Sequence, residues 1–207
     1  MSSTPDPLSL VPVVPVVVIE DLEHAVPVAR ALVAGGLPAI ELTLRTPVAL
    51  DAAKAIAAEV PEIALGIGTV TTPAQAEAAV GAGASFLVSP GATPTLVSAM
   101  AATGVPFLAG TSTPSEVMAL LDAGVTSMKF FPAEAAGGVR MLSAIGGPLP
   151  QARFCPTGGI TAATAPDYLA LPNVGCVGGT WLTPKDALAA GDWQRITDLA
   201  AQAAALW

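Results

Sequence analysis

The sequence predicts a single (β/α)8 barrel. Three observations carry that expectation: β-rich and Ala/Leu-rich runs alternate strictly, a Thr-Pro pair recurs at the junctions between them, and the β-rich runs are apolar almost throughout. At 207 residues the chain has room for one domain with a full core. Residues 1–10, with Pro5 and Pro7, are expected as a flexible arm, and residues 11–207 as the barrel.

The first strand-like run is VPVVPVVVI (11–19), and the junction after it, VIEDLEHA, has no glycine fingerprint. That argues against a doubly wound nucleotide-binding sheet, the runner-up architecture. AIELTL (39–44) follows and leads into Thr46-Pro47; IALGIGTV (63–70) leads into Thr72-Pro73, and FLVSP (86–90) into Thr93-Pro94. PFLAGT (106–111) leads into Thr113-Pro114, SMKFFP (127–132) and RFCPTG (153–158) come next, and VGCVGGT (174–180) leads into Thr183-Pro184. Threonine can accept an orphan helix N–H, and proline at the next position has none to lose. TPAQ and TPSE add the third-position Gln or Glu of a capping box. The intervening helical segments often stop at glycine, as in VAGG, VGAG, ATG and LDAG.

Hydrophobic residues make up 53% of the chain and charged ones 12%, so exposed apolar faces covered by oligomerisation are expected. No window offers about 18 uninterrupted apolar residues, which excludes a membrane span. MSSTPDPLSL has neither the basic region nor the compact apolar region of a secretory signal, so a cytoplasmic location is expected. Sixteen acidic against eight basic residues give a net charge of -8, which makes nucleic acid a poor partner. Cys155 and Cys176 read as buried thiols. His24, the one histidine, reads as a surface or capping residue. No His, Cys, Asp or Glu cluster has metal-ligand spacing, so the chemistry is expected to need neither metal nor cofactor.

In a barrel the site lies at the C-terminal ends of the strands. The polar residues there are Glu41, Thr43 and Arg45, then Thr69, Ser89 with Pro90, Thr111 to Thr113, Lys129, Thr157 to Gly159, and Gly178 to Thr180. Lys54 and Lys185, the other two lysines, fall in helical contexts. Alternation separates Met128 and Phe130 from Lys129 and Phe131. If Phe130 faces the helices, Lys129 points inward, where loss of water favours the neutral, nucleophilic amine. The competing reading is a structural ion pair with Glu41 or a stem that reaches solvent. Glu41, Thr43 and Arg45 share one face of their strand and would converge on the same interior, adding a carboxylate for proton transfer and a guanidinium for an anionic group. The glycine pairs in CPTGGIT and CVGGTWL stand where barrels often bind phosphate through backbone N–H groups and a helix N-terminus, and they also suit ordinary turns.

Six motifs, in order, carry a resemblance over nearly the whole length: GGLPAIELTLRT, GIGTV, LVSPGAT, MKFFPAEAAGG, RFCPTGGI and GGTWL. The chain resembles the 2-keto-3-deoxy-6-phosphogluconate (KDPG) and 4-hydroxy-2-oxoglutarate aldolase family. The resemblance implies a homotrimeric class I aldolase on a (β/α)8 barrel that reversibly cleaves KDPG to pyruvate and glyceraldehyde 3-phosphate, and 4-hydroxy-2-oxoglutarate to pyruvate and glyoxylate. It makes Lys129 the Schiff-base lysine and Glu41 the general acid/base. Arg45 and Thr69 would hold the keto-acid carboxylate, with Pro90 and Phe131 around the pyruvyl group. Thr157, Gly158, Gly159, Gly179 and Thr180 would receive the phosphate. The sequence departs from the family at Ala109, where proline is expected and the loop after the fifth strand would be touched, and at Thr180, which replaces serine and keeps its hydroxyl. Two other readings are a sugar-phosphate isomerase or epimerase barrel, which needs no inward lysine, and a barrel scaffold or assembly component, natural or engineered, with little activity.

Overall fold

A strand that is apolar on both faces has to be covered on both, and a parallel barrel wrapped in helices achieves this. The computed structural model, which describes residues 6–207, has that architecture. The strands are β1 (Val13–Val17), β2 (Ala39–Thr43), β3 (Ala64–Gly68), β4 (Phe86–Val88), β5 (Phe107–Thr111), β6 (Ser127–Phe130), β7 (Arg153–Pro156) and β8 (Val177–Gly179). The helices are α1 (Ala25–Ala34), α2 (Ala49–Glu59), α3 (Pro73–Gly81), α4 (Pro94–Ala102), α5 (Pro114–Asp122), α6 (Gly138–Gly146), α7 (Ala165–Leu169), α8 (Lys185–Ala190) and α9 (Trp193–Ala204).

The strands pair in parallel in the order β7-β6-β5-β4-β3-β2-β1-β8. Bridges from Phe154 to Val174 and from Thr157 to Gly178 join the two ends and close the barrel. In this ring β2 and β6 have three strands between them on either side, so their side chains meet across the interior. All eight strand-like runs read from the sequence contain a strand, and most overshoot it at the C-terminal end. The surplus residues, such as 69–70, 89–90, 131–132 and 157–158, lie past the strand ends and form the rim where a barrel does its chemistry.

Register fixes which side chains point inward. Val16, Glu41, Gly66 and Phe86 are successive partners across β1 to β4, and the Phe86 ring fills the room that Gly66 leaves empty. On the opposite face Phe130 and Phe154 are fully buried and meet edge to face, with ring centres 6.2 Å apart at 76°. Burying each ring contributes about 2 to 3 kcal/mol, and the pair pins β6 and β7 to their helices. Alternation then directs Lys129 and Cys155 to the interior.

Three of the five Thr-Pro pairs cap helices as expected: Thr72, Thr93 and Thr113 accept from the N–H of Gln75, Leu96 and Glu116. Gln75 and Glu116 complete capping boxes. Thr46 differs, because its hydroxyl donates to the Ile19 carbonyl at 2.6 Å, tying the exit of β2 to that of β1, and α2 starts only after Val48. Thr183 is buried, and Pro184 holds the cap position of α8 without a side-chain bond.

The arm expected over residues 1–10 is different from Asp6 onwards; residues 1–5 lie outside the described residues. Pro7–Ser9 form a 3-10 turn whose Leu8 is buried against Gly175 at the barrel floor. Asp6 caps that turn and accepts from the Ser127 hydroxyl at 3.1 Å. An apolar side chain that closes the open end of a barrel gains more by burial than it loses in chain freedom.

Candidate active site

Lys129, on β6, and Glu41, on β2, meet inside the barrel. The Lys129 Nζ donates to Glu41 Oε1 at 2.9 Å and to Oε2 at 3.3 Å, and both residues are 3% exposed or less. Glu41 fits because Gly68, two positions beyond its register neighbour on β3, has no side chain: a Cβ there would collide with the carboxylate. Above the lysine, the Phe131 ring centre lies 5.3 Å from Nζ, within cation–π range. One edge of that ring rests on Gly158. One aromatic side chain thus spans the distance from the amine to the glycine turn after β7.

The common face expected for Glu41, Thr43 and Arg45 holds only in part, because β2 ends at Thr43. The Thr43 hydroxyl donates to the Val17 carbonyl at 3.0 Å. Arg45 lies past a tight turn in which its N–H bonds the Thr43 carbonyl, and it is exposed at the rim with its Nε 3.1 Å from the Thr69 hydroxyl. Thr69 directly follows Gly68 and has φ 62°, the one non-glycine positive φ among the described residues. A β-branched side chain is costly there, and such strain collects at functional sites. Ser89 and Thr111 are bonded within the sheet, to the Gly110 N–H and the Lys129 carbonyl. Pro90 stands beside Gly110, whose missing side chain makes room for its backbone.

Gly158 and Gly159 have φ 105° and 82°, and among the described residues the N–H groups of Gly158, Gly159 and Ile160 make no hydrogen bond. Successive N–H groups in such a turn converge into an anion-binding concavity. The expected helix N-terminus contributes little, because α7 is only five residues long and α8 six. The second glycine pair is closely packed: Thr157 occupies the space beside Gly178, and the Trp181 ring lies over Gly179. Thr180 opens onto a cavity of about 500 Å³ at this end of the barrel, shared with Val16, Ile19, His24 and Lys185. A second cavity of about 560 Å³ lies at the opposite end, between Asp6 and the entries of β5 and β6, away from the lysine. Ala109 is a buried residue of β5, paired with Met128 on the helix-facing side, so its departure from the family pattern does not touch the rim loop as expected.

Sequence reasoning assigned no part to Glu134 and Tyr168. The Tyr168 hydroxyl donates to Glu134 Oε1 at 2.5 Å, beneath the Gly158-Gly159 turn. Burial, and then the bond to Glu134 and its charge, push the Tyr168 phenol far above its ordinary range. The acidic residue within KFFPAE was the available signal. Cys155 and Cys176 are both buried and unpaired, and the neighbouring Cys155 thiol together with burial pushes the Cys176 thiol well up, as befits inert packing residues.

A buried amine in contact with a carboxylate, on facing strands of a parallel barrel, can form an imine with a ketone and move protons around it. That defines a Schiff-base lyase as the class of protein. The family model for KDPG and KHG aldolase matches residues 6–199. The KHG/KDPG aldolase of Escherichia coli K12 is 56% identical over 192 residues, 93% of this chain and 90% of that protein. A KDPG aldolase from Legionella pneumophila, crystallised with pyruvate captured as a covalent carbinolamine, superposes with a TM-score of 0.93 at 46% identity, covering 95% of this chain and 96% of that one. The KDPG aldolase of Zymomonas mobilis ZM4 with 3-phosphoglycerate gives 0.90 at 46% identity, covering 97% and 94%. The chain belongs to the KDPG and KHG aldolase family, and is a class I pyruvate aldolase, a lyase.

Proposed function

We propose that the chain cleaves KDPG reversibly to pyruvate and glyceraldehyde 3-phosphate, and 4-hydroxy-2-oxoglutarate to pyruvate and glyoxylate, with Lys129 as nucleophile and Glu41 as proton carrier. The observation that carries this is the 2.9 Å contact between the two side chains inside the barrel. A proton passing along it from Nζ to Oε1 leaves a neutral amine and a carboxylic acid. The amine adds to the C2 ketone to give a carbinolamine, and Glu41 returns its proton to the hydroxyl, which leaves as water and yields the iminium. As a carboxylate again, Glu41 takes the C4 hydroxyl proton while the C3–C4 electron pair moves into the iminium, and the aldehyde departs. Glu41 then protonates C3 of the enamine, and water releases pyruvate and the free lysine.

Arg45 and Thr69, bonded to each other at the rim, hold the substrate carboxylate in this reading. Pro90 and Phe131 enclose the pyruvyl group. The free N–H groups of the Gly158-Gly159 turn, with Thr157 below and Gly179 and Thr180 across from them, take the phosphate. We also propose that the protein works in the cytoplasm as a homotrimer, a reading supported by its high apolar fraction and its family; sedimentation equilibrium should then give three times the chain mass. Borohydride reduction in the presence of pyruvate tests the chemistry. A lactyl-sized mass increase confined to Lys129 is expected, and no adduct at saturating pyruvate would overturn the proposal.

A further inference from the structure

Glu134 and Tyr168 stand beside the Gly158-Gly159 turn and make no hydrogen bond to the lysine or its carboxylate partner. The Glu134 backbone N–H donates to the Gly158 carbonyl at 3.0 Å, and the Ala133 N–H to the Thr157 carbonyl at 2.8 Å. The Glu134 side chain lies flat against Gly159, where a Cβ would stand 2.7 Å from its Cγ. Its carboxylate is then anchored by the Tyr168 hydroxyl at 2.5 Å. Tyr168 is itself 1% exposed and packs so closely on Gly138 that a Cβ at that position would lie 2.9 Å from its oxygen. The segment that follows Lys129 and the turn that follows β7 are therefore clamped together, and the clamp takes up none of the free N–H groups of the turn.

We propose that Glu134 and Tyr168 are positioning residues that fix the angle of the Gly158-Gly159 turn and so set the affinity for the phosphate end of the substrate. This rests on the phosphate reading of that turn. A two-glycine turn has little stiffness of its own, since each glycine populates positive and negative φ about equally. N–H groups bind an anion well only when they are held in the converged state beforehand. The strut supplies that rigidity through a phenol that stays protonated, so its donor persists across the working pH range.

The measurement is the ratio of kcat/KM on KDPG to that on its non-phosphorylated analogue. Tyr168→Phe should lower the ratio about fivefold, the scale of one lost hydrogen bond, through a higher KM for KDPG with kcat little changed. Glu134→Gln keeps an acceptor for the phenol and should restore the parent ratio. Inorganic phosphate, used as a competitor against the non-phosphorylated analogue, should inhibit Tyr168→Phe more weakly by the same factor. Should Tyr168→Phe fail to fold, Glu134→Ala read by the same ratio takes its place. Equal losses on both substrates, or an unchanged ratio, would overturn the strut. Gly159→Ala separates this from the underlying reading: if it shifts the ratio and Tyr168→Phe does not, the strut alone falls. If neither variant shifts the ratio, the phosphate site falls with it.

Discussion

The Glu41 carboxylate lies in the space that any side chain at Gly68 would occupy. Gly68 thus decides where the Glu41 carboxylate sits, although it has no functional group and only its lack of a Cβ is used. Gly68→Ala is expected to fold, because Glu41 can swing away from the new methyl, but the swing breaks the 2.9 Å contact with Lys129. A displacement on that scale costs about 10²-fold in rate. Steady-state kcat should fall accordingly, and the melting temperature should fall with it, because the displaced carboxylate leaves two buried charges apart; a variant with undiminished kcat would show that the Lys129–Glu41 contact is dispensable.

The same contact predicts opposite outcomes for stability and activity. An ion pair this deeply buried loses hydration on both sides, and removing one partner leaves an uncompensated charge that costs about 3 to 5 kcal/mol. Lys129→Met should therefore be inactive and less stable. Lys129→Met combined with Glu41→Leu should be inactive and at least as stable as the parent, since apolar replacement of a buried pair is neutral or stabilising by about 1 to 4 kcal/mol. Urea unfolding of the three proteins, alongside borohydride trapping, measures both quantities. Equal destabilisation in single and double variants would mean that the pair is a structural necessity.

Much of this was legible in the sequence because periodicity is a local signal. Eight apolar runs with helix starts between them define the barrel, and alternation in SMKFFP turns Lys129 inward once Phe130 is placed against the helices. Long-range geometry was harder to read. Nothing in AIELTLR shows that the strand stops at Thr43 and leaves Arg45 to a turn, or that Thr46 bonds the end of β1 instead of capping a helix. The two glycine pairs look alike in the sequence, and it does not show that Thr157 and Trp181 fill the space beside Gly178 and Gly179. Contacts between residues far apart in the chain settle such cases. The Glu134–Tyr168 pair, thirty-four positions apart, is hidden for the same reason.

Away from the site, Glu116 gives a prediction with a pH sign. Its carboxylate accepts from the backbone N–H groups and hydroxyls of Ser112 and Thr113, and the Ser112 N–H bond leads the causes that hold it below its ordinary value of 4.5. A lowered folded-state value means that this stabilisation is complete above the unfolded carboxylate's range and fades as pH falls through the folded one. Glu116→Ala should cost about 1 kcal/mol at neutral pH, or roughly 2 to 4 °C in melting temperature for a chain of this size. The gap between parent and variant should close on acidification below the ordinary carboxylate range. A gap that stays constant down to strong acid would mean that the carboxylate's charge plays no part in the cap.

Thr69 combines backbone strain with a contact to Arg45, and its variants can separate the two. At φ 62° any residue with a Cβ is disfavoured, a β-branched one most of all, while glycine is at ease. Its hydroxyl accepts from Arg45 Nε, so the strained backbone presents the group that orients the guanidinium. Thr69→Ala and Thr69→Gly both lose that oxygen and should raise KM for the keto acid about equally, by up to about tenfold. They should differ in stability, with the glycine variant higher by about 1 kcal/mol because the alanine still carries a Cβ at positive φ. Thr69→Ser keeps the hydroxyl and should keep the parent KM. Melting curves and KM across the three variants read the two effects independently. If Ser and Ala were equally impaired, the hydroxyl would have no role in holding Arg45. If Gly were no more stable than Ala, the backbone would not be strained at this position.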